Sequence, residues 1–360
     1  MRGNTFGKIF SITTAGESHG GAIAVIVDGC PAKFKLEAKD IQKQLNRRRP
    51  GQSNLTTTRK EADQVEILAG LSQKITLGTP ILMIIKNKDA RNHDYEHLKN
   101  IYRPSHADFS VEKKYGIREW RGGGRASARE TAARVAGGAI AKKYLKLKLN
   151  IKIYSYVEQI GPVKAVVQEE DISLTKIENN PIRCPDPKKA QQMIKYLEKI
   201  KKQGDSTGGV IRTVIKNTPL GLGEPVFDKL SADLGKAMLS INAVKGFELG
   251  AGFASASMKG SEHNDLFHSD SNGHVKTKTN FSAGIQGGIS NGQDIYFRVA
   301  FKPVATINQK QTTVNTKGES VKFQGRGRHD ACVVPRAVPI VEAMSAITLL
   351  DHYLRQQCYR

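Results

Sequence analysis

Residues 128–145, Ala-Arg-Glu-Thr-Ala-Ala-Arg-Val-Ala-Gly-Gly-Ala-Ile-Ala-Lys-Lys-Tyr-Leu, are the stretch on which the fold turns. Ala132, Val135, Ala136, Ala139 and Ile140 recur at helical spacing and form a narrow stripe of small residues. Such a slim helix suits close packing in a crowded interior. Ser127 and Glu130 fit the S-x-x-E capping box, so a helix start is expected there. Immediately before it runs Arg121-Gly122-Gly123-Gly124-Arg125-Ala126, a glycine loop whose N–H groups can form an anion nest. Arg125 and Arg129 beside a helix N-terminus oppose its dipole unless an anion is present, which makes a natural phosphate site. The loop lacks the GxGxxG spacing of a dinucleotide fingerprint. An ordinary capped helix after a loop is the plain alternative.

Outward from this helix, strands are expected at 22–27, 65–68, 80–85, 151–157, 210–215, 247–256 and 295–301. A helix carrying Ile41 and Leu45 should end at Arg47-Arg48-Arg49-Pro50-Gly51, where Pro50 stops it. Further helices are expected at 187–202, with lysines outward, and at 231–244, with Ser231 as N-cap. A last helix at 338–354 should bury Ile340, Met344, Ile347 and Leu354 on one face. Strands and helices mix without a βαβα rhythm, which predicts α+β rather than a doubly wound sheet.

Composition narrows the function. The chain has 360 residues, enough to bury a core without disulfides. Cys30, Cys184, Cys332 and Cys358 are scattered and form no CxxC pair, which fits a reduced, cytoplasmic protein. No apolar run reaches the ~18–20 residues of a membrane helix, and no secretory signal is visible. Lys and Arg number 56 against 34 Asp and Glu, a formal charge of +22 that asks for an anionic partner. Nucleic acid is one candidate, but aromatics are only 6% and do not interleave with the glycine-arginine segments. A phosphate-binding protein without catalysis is another.

Four further segments carry candidate chemistry. Gly16-Glu17-Ser18-His19-Gly20-Gly21 places a histidine between glycine flanks, either for proton transfer or in a surface turn. Arg47-Arg48-Arg49 suits bidentate phosphate or carboxylate clamping, or simply a cationic helix end. Arg103-Pro104-Ser105-His106-Ala107-Asp108 puts His106 in a stiffened loop. Gly325-Arg326-Gly327-Arg328-His329-Asp330 sets glycine-spaced arginines beside a carboxylate, and no second ligand pair supports a metal at His329 and Cys332.

Together and in this order, the segments closely resemble the chorismate synthase family. Residues 16–21 look like its first motif, 122–131 its second, and 327–344 (GRHDACVVPRAVPIVEAM) its third. The resemblance runs over essentially the whole chain. It implies an α+β fold, a β-α-β sandwich in which antiparallel sheets enclose helices, as one domain over residues 1–360 with long basic active-site loops. It also implies a cytoplasmic homotetramer that converts 5-enolpyruvylshikimate 3-phosphate to chorismate by 1,4-anti elimination of phosphate. The reaction needs reduced FMN without net redox change. By resemblance His19, with Ser18 beside it, protonates the departing phosphate. His106 protonates reduced flavin near N1, and Asp330 assists loss of the C6 hydrogen. Flavin contacts would be Arg125, Ala126 and Ser127, then Asn242 and Ala243, then Gly287. Lys302, Pro303, Val304, Ala305, Thr306 and Arg328 would complete them. Substrate contacts would be Arg48, Arg49, Ala128 and Arg129. Arg48 and Asn54 stand at the family's NADP positions, Asn54 replacing a common arginine. No extra nucleotide-binding segment is visible, so an external flavin reductant is expected. Nucleic acid, membrane and metal are not.

Overall fold

The computed structural model describes residues 3–52, 61–88, 92–325 and 330–359. Two five-stranded antiparallel sheets form its outer layers. The first contains β1 (Thr5–Phe6), β2 (Ser11–Ala15), β3 (Ala22–Asp28), β4 (Val65–Ile67) and β5 (Ile81–Lys86), in the order β1-β2-β3-β5-β4. The second contains β6 (Lys152–Ile160), β7 (Val163–Lys164), β8 (Gly209–Lys216), β9 (Val244–Leu249) and β10 (Ile295–Phe301), in the order β9-β10-β8-β6-β7. The helices of eight or more residues are α1 (Ala38–Arg48), α2 (Asp108–Tyr115), α3 (Thr131–Leu149), α4 (Pro187–Lys202), α5 (Leu230–Leu239) and α6 (Val334–Gln357). α3 packs on β2, β3 and β5 on one side and on α6 on the other, while α6 packs on β6 and β8. The layers are therefore sheet, helices, sheet, as the resemblance implied.

Glycine makes that spacing possible. A β-carbon at Gly137 would come within 2.8 Å of Ile12 Cγ2, and one at Gly138 within 2.6 Å of Ala343 Cα. Consecutive glycines thus serve opposite contacts, one with the first sheet and one with α6.

Four expectations change. The Ser127 hydroxyl accepts from the Arg129 N–H, but no reciprocal capping box forms. Glu130 instead accepts from Thr14 Oγ1 (3.0 Å) and pairs with Arg134, and a 3-10 turn at Ala128–Glu130 precedes the α-helix. α5 has Lys229 rather than Ser231 at its N-cap and stops at Leu239. Ala243 then adopts φ +68° and turns the chain into β9, so Val244 begins a strand. That strand ends at Leu249, and Gly252–Ser257 is a 3-10 turn. The last helix starts at Val334, before Pro335, and is buried on nearly all sides because it lies between layers. Pro339 lacks the N–H that would bond the Pro335 carbonyl. Arg183 Nη1 donates to that carbonyl instead (2.6 Å).

Candidate active site

The three arginines that end α1 separate by function. Arg47 turns into the helical layer, where it pairs with Glu342 and Glu178. Arg48, 2% exposed, enters a cleft at the N-terminal end of α3. Arg49 caps the helix by its backbone, and its side chain is exposed.

Arg48 and Arg129 share one buried carboxylate. Arg48 Nη1 donates to Asp63 Oδ2 (3.0 Å), and Arg129 Nη1 donates to Asp63 Oδ1. Burial alone would raise the Asp63 carboxyl, but the two guanidinium groups hold it below the usual carboxylate range. Burial pulls Arg48 down to about 10, with nearby Arg336 and Arg129 adding to the effect against Asp63. Arg103 and Arg336 also line the cleft. Arg336 pairs with Asp330, and Arg103 with Asp108. Among the described residues, four guanidinium groups thus face a cleft whose own lining contributes one carboxylate, Asp330. Such a surface is completed electrostatically by a multiply charged anion.

The glycine loop brings two histidines to this wall. Gly122, Gly123 and Gly124 all have positive φ, at +63°, +82° and +52°. A β-carbon at Gly122 would overlap the His19 ring, and one at Gly123 would lie 2.9 Å from His106 Cε1. His19 is 9% exposed, with Nδ1 2.9 Å from Ser18 Oγ and its ring edge-on to Tyr95 at 4.8 Å. Gly122 and Tyr95 line the cleft in front of it. His106 lines the cleft directly, its Nδ1 2.9 Å from Asp108 Oδ1. Its loop is held by the hairpin Lys310–Val314/Ser320–Gln324, through Tyr102 N–H to the Val314 carbonyl (3.1 Å).

Beside the cleft, Ala126, Ser127, Val304, Ala305 and Thr306 form one wall, and Ala128 lines the same space. An adjoining apolar recess is bounded by Asn242, Ala243, Phe301 and Val333. There Asn242 Nδ2 donates to the Ala126 carbonyl (3.0 Å), while its buried Oδ1 has no partner among the described residues. Lys302 Nζ donates to the Ser105 carbonyl and hydroxyl (3.1 and 3.0 Å), next to His106.

Not every expected residue converges. The Arg125 side chain enters a second cleft, bonding Thr14 Oγ1 (2.7 Å) and Asn4 Oδ1 (3.0 Å). Gly287 lies in the turn of the Ile285–Gln286/Ile289–Ser290 hairpin, and neither it, Pro303 nor Arg49 lines the main cleft. Asn54 and Arg328 lie outside the described residues. Cys332 is buried, and burial pushes its thiol up to about 12, so it packs rather than reacts. Among the described residues no group of metal-binding side chains gathers. Sequence reasoning missed Asp63, Tyr95, Arg103, Asp108 and Arg336 as members of the site. Arg103, Asp108 and Arg336 stood within quoted motifs, but Asp63 and Tyr95 carried no local signal.

The family model described as chorismate synthase matches residues 10–354. The chain belongs to the chorismate synthase family. It is 57% identical to a chorismate synthase of Christiangramia forsetii over 357 residues, 99% of each chain. It is 55% identical to one of Synechocystis sp. over 355 residues, 99% of this chain and 98% of that one. A solved structure titled as the crystal structure of chorismate synthase aligns with a TM-score of 0.77 at 33% identity, covering 97% of this chain and 93% of the other. Chorismate synthase family membership makes this a carbon–oxygen lyase of the shikimate pathway, converting 5-enolpyruvylshikimate 3-phosphate to chorismate and phosphate, and a flavin-dependent one. No helix among the described residues is long and apolar enough to cross a membrane.

Proposed function

We propose that the cleft binds 5-enolpyruvylshikimate 3-phosphate beside reduced FMN, with Arg48 and Arg129 on the substrate's anionic groups. Arg103 and Arg336 extend that anionic surface. The observation carrying this reading is the juxtaposition of four cleft arginines with two histidines that meet at one glycine loop. His19 donates a proton to the departing phosphate, and Ser18 orients its ring. Arginines fixed beforehand by Asp63, Asp108 and Asp330 stabilise the charge that develops on the leaving oxygen without reorganising. Asp330 assists loss of the C6 hydrogen while Arg336 holds its carboxylate in place.

The residues fit a flavin. Asn242 offers a buried acceptor, unsatisfied among the described residues, at an apolar recess adjoining the cleft that Ala126, Ser127, Val304, Ala305 and Thr306 line. Lys302 supplies a cation for the phosphate, and Arg125 contributes through its backbone. When bound, reduced FMN supplies an electron-rich ring beside the breaking bond, with no net redox change. His106 presents a proton to it from Nε2.

The active form is a homotetramer that takes reduced flavin from an external reductant. Sedimentation equilibrium gives the stoichiometry. The deciding assay is anaerobic, with substrate and chemically reduced FMN. Equal release of chorismate and phosphate, absent with oxidised FMN, is expected. Flavin binding without turnover would overturn the reading. His19→Ala and His106→Ala should each lower turnover by about 10²–10⁴-fold with a much smaller change in FMN affinity.

A further inference from the structure

We propose that Asp108 is a positioning residue that locks His106 as the Nδ1–H tautomer and aims Nε2 into the cleft. The inference rests on the reading of His106 given above and deepens it.

Asp108 is the first residue of α2, where the helix dipole favours a carboxylate. Its Oδ2 accepts from the Arg103 backbone N–H (3.2 Å) and from Arg103 Nε (2.7 Å). Its Oδ1 accepts from Arg103 Nη2 (2.8 Å) and faces His106 Nδ1 at 2.9 Å. Arg118 Nη1 stands 3.4 Å from the same oxygen. Burial alone would raise this carboxyl, but the bonds from Arg103 and His106 hold it well below the usual range. It is therefore ionised and can only accept.

That settles the proton on the imidazole. Arg103 Nη2 also lies 3.1 Å from His106 Nδ1, and a guanidinium can only donate. The two neighbours therefore demand opposite roles of Nδ1. The carboxylate wins, because an ionised acceptor bonds more strongly than a neutral ring nitrogen, and Arg103 already has Asp108 for its donors. Nδ1 then carries hydrogen and Nε2 is free to hold a second proton. Nε2 and its neighbour Cε1 lie against Gly123, 3.1 and 2.9 Å from where its β-carbon would stand, at the end of a ring that lines the cleft. The cations around His106 are Arg103, Arg118 acting through Asp108, and Lys302 across Ser105.

An asparagine here would break the arrangement. Arg103 donates to both oxygens, so an amide NH2 in either place opposes an Arg103 donor. The charge-assisted acceptor that holds hydrogen on Nδ1 is lost.

The test is nitrogen-15 histidine NMR on the full-length protein without flavin, with turnover measured in parallel. In the wild type, neutral His106 should show the Nδ1–H tautomer. In Asp108→Asn the Nδ1–H form should no longer predominate. Turnover should fall at least about tenfold with KM for the substrate little changed. His106→Ala/Asp108→Asn should be no slower than His106→Ala, and Asp108→Glu should recover part of the loss. An essential His106 found as Nε2–H in the wild type would overturn the positioning role alone. So would a double variant much slower than His106→Ala, which would make Asp108 structural. Wild-type turnover in His106→Ala would instead remove the role of His106 and this proposal with it.

Discussion

At Gly122 the backbone stands at φ +63°, and a methyl group would overlap the His19 ring and lie 2.6 Å from Ser18 Oγ. The position therefore excludes side chains on two independent grounds, conformation and space. Gly122→Ala should displace His19 and lower turnover by about 10²-fold, the effect of a misplacement near 1 Å. Steady-state kinetics on the folded variant would check this, and undiminished turnover would remove His19 from the proposed chemistry. At this scale the sequence displayed the histidines, the glycines and Arg48. It did not display Asp63, which lies 15 residues beyond Arg48 with no motif around it. A carboxylate buried between two guanidinium groups is a product of folding, because α1 and the turn before α3 converge on it only in three dimensions.

At the scale of elements, adjacent residues on a helix point about 100° apart. Arg47 therefore reaches Glu342 in the helical layer while Arg48 reaches the cleft. The two should separate experimentally. Arg47→Ala leaves a buried carboxylate short of a partner, which is expected to destabilise by about 3–5 kcal/mol, seen as a lower urea midpoint. Arg48→Ala also leaves a buried carboxylate, Asp63, short of a partner, but should in addition raise KM for the substrate. Comparable stability losses in both, with no difference in KM, would contradict this division. Helix α3 offers a second contrast. Helix propensity alone favours Gly138→Ala by about 1 kcal/mol. The close approach of Ala343 reverses the sign, because overpacking costs about 1–3 kcal/mol. A lower melting temperature for Gly138→Ala is expected, and a higher one would show that α3 and α6 have room to separate.

For the whole molecule, part of the excess of basic residues is turned inward onto buried acids, and Glu342, between Arg47 and Lys142, is one of the most enclosed. Burial raises its carboxyl, but Arg47 and Lys142 override this and bring it from the ordinary 4.5 down to about 2. A folded value below the unfolded one gives stability that is present above pH 4.5 and lost as pH falls through about 2. Acid unfolding followed by circular dichroism should therefore steepen in that window. Glu342→Gln should flatten the dependence there while lowering stability at neutral pH. An unchanged pH profile in the variant would mean that other carboxylates govern acid unfolding.

By itself the sequence determined the class of fold, most element positions and the residue types of the site. Strands at 295–301 and a helix at 187–202 were readable because alternation, the 3.6-residue period and cap signals are local. The motif order was also legible, since it needs no geometry. Long-range packing settles which arginine enters the cleft, why Glu130 abandons its capping box for Thr14 and Arg134, and how α6 comes to be buried nearly all round. Those outcomes depend on contacts between segments far apart in the chain. When two sheets close over the helices, the competition among partners is settled by burial, and burial is a property of the assembled layers rather than of any one stretch of sequence.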